Sequence, residues 1–226
     1  AVPRLKVEAF WGLCRAHGFA GELSAAEEAA QQGIAIAERA GDEWIAALIR
    51  LSLAAAYALS GRHETALNGL SQALTAFREC GDTYGEAVTR LWQCLVWEQT
   101  GDGARLTRGV NELLTAAREY GYDYLLQCQT LLGPPDRRRI VPLLLIGRHE
   151  GRQRAYAEML LQELGLRELE IHPGYQLRVQ TLGPFRVWRG MEEVAPDAWQ
   201  REKARHLFQF LITHREQIVS SLVSSF

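Results

Sequence analysis

Up to Gly165, apolar side chains return at intervals of three and four, as in Leu67, Leu70, Leu74 and Phe77, with Glu, Gln, Arg and Ala between them. That spacing lines one stripe of an α-helix and predicts amphipathic helices that bury the stripe. The pattern also repeats at long range. ERAGDEW (38–44), RECGDTY (78–84) and REYGYDY (118–124) set Gly41, Gly81 and Gly121 at intervals of 40, and Gly21, Gly61 and Gly101 fall midway between them. Ala26, Ala66 and Leu106 are in phase, as are Ala30, Leu70 and Val110, and Ile34, Leu74 and Leu114. Each half-period is rich in good helix formers, and its closing glycine supplies the left-handed conformation that ends a helix. The unit is therefore a helical hairpin. Successive hairpins stack because one alone leaves its stripe exposed.

Within the second repeat, Leu53, Ala54 and Tyr57 followed by Ala66, Leu70 and Ala73 sit at the offsets of the tetratricopeptide consensus. Leu13, Cys14, His17, Ala26, Ala30 and Gly33 stand there in the first repeat, and Gln93, Cys94, Trp97, Leu106, Val110 and Leu113 in the third. The consensus Trp and Pro are missing, and the period exceeds the usual 34 or so and overlaps the HEAT range. Small residues where two helices must approach closely favour a tetratricopeptide-like hairpin over a HEAT one. A less regular fourth unit follows. Residues 123–133 read as its first helix, Gly133-Pro134-Pro135 breaks the chain, and helix resumes through RRRIVPLLLIGRHEG and RQRAYAEMLLQELGL.

From Arg167 to Gly174 the composition changes, and His172-Pro173-Gly174 signals a turn. This divides the chain into a repeat domain, 1–170, and a second segment, 171–226. In LRVQTLGPFRVWRG, Leu177, Val179, Phe185 and Val187 alternate with Arg178, Gln180 and Arg186, which predicts two strands turning at Gly183-Pro184. A short third strand fits Glu192 to Ala195. Asp197 then caps a helix whose Ala204, Leu207, Phe208, Leu211 and Ile212 form an apolar face able to cover the sheet. The expected fold class is mainly α: a tetratricopeptide-like helical-hairpin solenoid followed by a small α+β segment.

TLGPFRVWRG followed by WQREKARHLFQFLITHRE resembles the start of the OmpR-type winged-helix domain of bacterial transcriptional activators, over residues 175–216. The array before it is similar in architecture to the sensor region of MalT-like ATP-dependent regulators. The resemblance implies a nucleotide-binding domain, helical repeats that bind a signal or partner, and a DNA-binding domain that acts on a promoter. Two departures qualify it. No GxxxxGK[ST] phosphate loop occurs, so ATP is expected only on an upstream domain and no cofactor in this chain. The sequence reaches IVSSLVSSF where helices two and three of a winged helix should follow, and it opens on Ala, so a fragment with a truncated winged helix is expected.

Charge narrows the role of any DNA contact. Net charge is −2 and the isoelectric point near 6.4, so nucleic acid has to be held by a local patch. No apolar run approaches the roughly 20 residues of a membrane span, and no secretory signal opens the chain, which suits a cytoplasmic protein. Cys14, Cys80, Cys94 and Cys128 are dispersed and read as reduced thiols at small core positions; the histidines show no ligand spacing, so no metal is expected. No nucleophile elbow or acid–base pair stands out, and the chain does not read as an enzyme.

Three sets of residues are candidate sites. Arg201, Lys203 and Arg205 suit phosphate contacts from the first helix of a winged helix, or else form a solvated face. Trp188 and Trp199 read as packing anchors between sheet and helix. Arg137, Arg138 and Arg139, with Arg148, Arg152 and Arg154 downstream, form a basic stretch for nucleic acid, an acidic partner or another domain, or else a solvated face. Projection of the first helix of each repeat puts Trp11, Arg15, Phe19, Leu51, Ala55, Leu91, Leu95 and Glu98 towards the concave groove. That lining suits a peptide, a small hydrophobic effector or another part of the same protein, and equally suits ordinary core between repeats. The expected partners are thus an effector or peptide in the groove and DNA through a complete winged helix, while the exposed apolar face of the segment after 171 is expected either to pack against the repeat array or to form a homodimer. The alternative is a protein-interaction module with no DNA role.

Overall fold

The computed structural model describes residues 3–167, 169, 177–189, 192–195, 198–199 and 202–214. The chain is mainly α with a small α+β segment, and it divides into two compact units, 1–172 and 173–226.

Six long helices build the first unit: α1 (Pro3–Ala20), α2 (Leu23–Ala40), α3 (Glu43–Leu59), α4 (His63–Glu79), α5 (Thr83–Thr100) and α6 (Gly103–Tyr120). Each packs on its sequence neighbours, and α3 lies between α1 and α5. The reversals are abrupt. Gly21, Gly41, Gly61, Gly81, Gly101 and Gly121 all take the left-handed conformation, with φ between 69° and 82°. The next helix starts at once: Asp42, Asp82 and Asp102 accept from the main-chain N–H of Ile45, Gly85 and Arg105 at 3.2, 2.9 and 3.2 Å. Each such cap contributes about 1 kcal/mol.

The two helices of a hairpin meet at small side chains. A β-carbon placed on Gly69 would stand 3.1 Å from that of Ala54. One period later, a β-carbon on Gly109 would stand 2.9 Å from Cys94 Sγ and 2.6 Å from the Trp97 ring. The first repeat holds Cys14 and Ala29 at these positions, both buried. On the connector side, aromatic groups tie one repeat to the next. Trp44 Nε1 donates to Asp82 Oδ2 at 2.6 Å. Forty residues on, Tyr84 stacks on Tyr124 with ring centres 5.9 Å apart, meets Tyr122 edge-on at 5.3 Å, and its neighbour Thr83 shares a 2.7 Å hydrogen bond with the Tyr122 hydroxyl.

The fourth unit departs from the expected helix over 123–133. Helix α7 (Asp123–Gln127) stops after five residues, and Cys128 is extended. Pro134 and Pro135 bias the residues before them away from helix, and an irregular strand gains contacts in the groove that a helix would forgo. A 3-10 turn (Arg137–Ile140) then leads into α8 (Val141–His149), with Pro142 in its first turn where no N–H is needed, and α9 (Arg154–Glu163). Helix α8 packs on α6 and α9, burying Leu144, Leu160 and Leu161. Asp123 accepts from the Tyr156 hydroxyl, joining α7 to α9.

The second unit contains an antiparallel sheet of β1 (Leu177–Gln180), β2 (Arg186–Arg189) and β3 (Glu192–Glu193), in that order. Val179 faces Val187, and the turn carries Gly183 at φ 77°. Helix α10 (Glu202–Thr213) brings Phe208 edge-on to Phe185, 6.3 Å between ring centres, and against Trp199 at 5.6 Å. Ala204 and Leu211, expected on the apolar face, are exposed instead, and no described side chain of α10 is fully buried. The expected cap, Asp197, lies outside the described residues.

Among the described residues no helix is long and apolar enough to cross a membrane, and no group of His, Cys, Asp and Glu could hold a metal. The cysteines correct one expectation. Cys14 and Cys94 are buried between helices, but Cys80 and Cys128 sit just past helix ends and are exposed.

Two predictions follow from this packing. Gly109→Ala, which forces a β-carbon into Trp97 and Cys94, is expected to cost about 1–3 kcal/mol, read as a lower urea midpoint with an unchanged slope. Burial pushes the Cys14 thiol up to about 12 and that of Cys94 up as well. Since the thiolate is the nucleophile, a thiol reagent at pH 8 should label Cys80 and Cys128 rapidly and the other two only on unfolding. The sign with pH is fixed too: stability falls as pH rises from 9.0, the ordinary thiol value, towards 12, because only the unfolded chain ionises there.

Candidate functional site

The groove is built from one face each of α1, α3 and α5. Residues four apart on α1 place Arg15 and Phe19 together, with the Arg15 guanidinium carbon 4.6 Å from the Phe19 ring centre. Trp11 reaches across to α3, where its indole N–H donates to Ser52 Oγ at 2.9 Å; Ser52 in turn donates to the Leu48 carbonyl at 3.0 Å. Phe19 meets Trp92 of α5 with ring centres 6.5 Å apart.

This face is not open. The chain between α7 and the 3-10 turn passes over it in irregular conformation, with Gly133 and Pro134 buried. Arg15 Nε donates to the Leu131 carbonyl at 2.7 Å, and Trp92 Nε1 to the Leu132 carbonyl at 2.8 Å. Arg15, Phe19, Leu51, Ser52, Ala55 and Leu132 enclose a cavity of only about 10 Å³, room for one water at most. Burial also lowers the Arg15 pKa from its ordinary value.

The structure thus brings Arg15, Phe19, Leu51 and Ala55 around one point and links Trp11 to it through Ser52. Leu91 and Leu95 are fully buried, as the core reading of the projection expects, and Glu98 is exposed. Sequence reasoning missed Ser52, Trp92 and the covering segment. Ser52 and Trp92 are one period apart, so the repeat offered a signal: the groove-facing column includes the position after Leu51 and Leu91. No periodicity marks the segment, because it belongs to no helix.

The arginine stretch does not present one face. Arg138 is exposed and grips Asp136 with Nε and Nη2 at 2.8–3.0 Å, which holds the Asp136 carboxyl below its ordinary pKa. Arg137 is exposed, with Nη1 3.5 Å from the Gln127 carbonyl. Arg139 is half-buried and feels the Glu98 carboxylate, while burial lowers its pKa. Consecutive residues of a 3-10 turn point about a third of a turn apart, so the three guanidiniums diverge. Arg148 is spent internally on the Arg167 and Leu169 carbonyls at 3.1 and 2.6 Å.

In the second unit, Lys203 is exposed on α10, and Arg205 is half-buried with its Nε lacking a hydrogen-bond partner among the described residues. Arg201 lies outside the described residues. A larger depression of about 370 Å³ on α6, lined by Thr107, Arg108, Asn111, Glu112 and Arg152 among others, is polar and of mixed charge.

Trp92→Phe keeps the aromatic packing but removes the donor to Leu132. Leaving that carbonyl without its partner is expected to cost about 1–3 kcal/mol, read in urea, with faster amide exchange in 128–133 than in wild type. No family model matches this sequence, and no curated protein matches it either.

Proposed function

We propose that this chain is the sensing arm of a bacterial, cytoplasmic transcriptional regulator, in which a tetratricopeptide-like array binds an effector or partner and an OmpR-type winged helix begins after it. The observation that carries the reading is the juxtaposition in one chain of a stacked hairpin array and a separate unit in which a three-stranded antiparallel sheet carries a helix through Phe185 and Phe208. The first part has a groove suited to recognition and little chemistry for catalysis. The second has the strand–strand–helix order that opens the winged-helix domain it resembles.

Occupancy of the groove changes the contacts among α1, α3 and α5, and so the way the array presents the DNA-binding domain. In this scheme Lys203 and Arg205 contact phosphates, fixing position on the duplex without reading its sequence. Base reading belongs to a recognition helix, expected as an Arg-rich amphipathic stretch within roughly 40 residues after Phe226. No catalytic residue and no cofactor are assigned to this chain, and ATP belongs to a separate upstream domain.

The test is a salt-dependent fluorescence-anisotropy titration of duplex DNA with this chain and with one extended through its downstream frame. The extended chain alone should bind, with affinity falling steeply as salt rises. Failure of both to bind would leave the array as a protein-interaction scaffold and remove the regulator reading.

A further inference from the structure

Trp92 is fully buried, so its indole N–H needs an acceptor within the protein. The acceptor it has is a main-chain carbonyl, that of Leu132, and the adjacent carbonyl of Leu131 is taken by Arg15. Both donors grip backbone rather than side chain. Residues 131–133 bend, which turns two consecutive carbonyls to the same face; a chain following that course offers the same two acceptors.

The other ties of the segment are mostly to itself. Gln129 donates to the Pro135 carbonyl at 3.3 Å, and the Gly133 N–H to Thr130 Oγ1 at 3.2 Å. Leu131 is 57% exposed. Leu132 lines the groove with Arg15, Phe19, Leu51 and Ala55, and Gly133 and Pro134 after it are buried. The triplet presents one apolar side chain, a residue without one, and a proline whose nitrogen needs no acceptor. It is a short recognition sequence already seated in its site.

We propose that the groove binds a bent, non-helical peptide of a partner protein carrying a Leu-X-Pro core, and that Cys128–Asp136 is a built-in competitor that occupies the site until such a peptide displaces it. The inference rests on the reading of the array as a sensing arm, and adds the chemistry of the partner and the gate that sets its threshold. Displacement is local, because no residue from Cys128 to Asp136 lies in a helix or strand. The partner restores both carbonyl acceptors, so neither Trp92 nor Arg15 is left without one.

The test uses the full chain with residues 129–135 replaced by Gly and Ser at equal length, and a fluorescein-labelled peptide of sequence QTLLGPPD as probe. The replaced chain should bind the peptide at least about tenfold more tightly than wild type, because the site is no longer pre-occupied. Arg15→Ala in that background, or Asp in place of the second leucine of the peptide, should abolish the gain. A folded replaced chain that binds no better than wild type overturns the proposal. Should the replaced chain not fold, native-state hydrogen exchange on wild type decides. The buried Gly133 amide, which donates to Thr130 Oγ1, exchanging by a local opening well before those of α3 supports a displaceable segment; exchange only together with α3 makes it part of the core and overturns the proposal. Neither measurement involves DNA, so the groove and the regulator reading can fail separately.

Discussion

Helices joined by two or three residues have no freedom to separate, and that constraint shapes the whole first unit. A left-handed glycine ends one helix and the next begins almost at once, so the chain turns back on itself with no slack. Adjacent helices are then held antiparallel at close range, and their apolar stripes have to face one another. Small side chains become obligatory where the axes are nearest. Ala54 opposite Gly69 and Cys94 opposite Gly109 are the same solution one period apart. The large residues that flank these points, such as Phe77, Leu70 and Leu113, fill what remains and are fully buried.

Neighbouring hairpins are bound on two unlike sides. On the connector side the links are polar–aromatic: Trp44 with Asp82, then Tyr84 and Thr83 with Tyr122 and Tyr124. Facing the groove, α1, α3 and α5 carry apolar side chains together with donors that no groove residue satisfies. Stacking by itself leaves Trp92 and Arg15 without acceptors, and the chain solves this by ending α7 early and feeding its own carbonyls in. The short α7 is therefore less a failed helix than a trade of intrahelical hydrogen bonds for groove contacts. Helices α8 and α9 then close the end of the array.

Most of the array was legible because its signal is repeated. Glycine columns located the turns, apolar columns the buried stripes, and the loss of helical period after Arg167 the second segment. Alternation of Val179, Val187 and their polar neighbours located the hairpin. What escaped was non-periodic. Nothing local in Cys128–Gln129–Thr130 forbids helix, and what holds the chain out of one lies partly in Trp92 and Arg15, 40 and 116 residues before the carbonyls they hold, those of Leu132 and Leu131. The arginine run misled differently. Three adjacent cations look like a patch in one dimension, but a 3-10 turn sends them apart, one to Asp136 and one towards Glu98. Arg15, Phe19, Leu51 and Ala55 converge as projected, whereas Ser52 and Trp92 needed the three-dimensional register of the helices.

The tight connections also govern how such a molecule can change length. One residue inserted within a helix turns everything after it by about 100° around the axis, sending the buried stripe towards water. Insertions and deletions in this part of the gene are therefore tolerated as whole hairpins of forty codons and hardly at all singly. The irregular crossing between α7 and the 3-10 turn has no axis to rotate, but Arg15 and Trp92 hold two of its consecutive carbonyls, so a codon gained or lost there changes which residue lies over the groove.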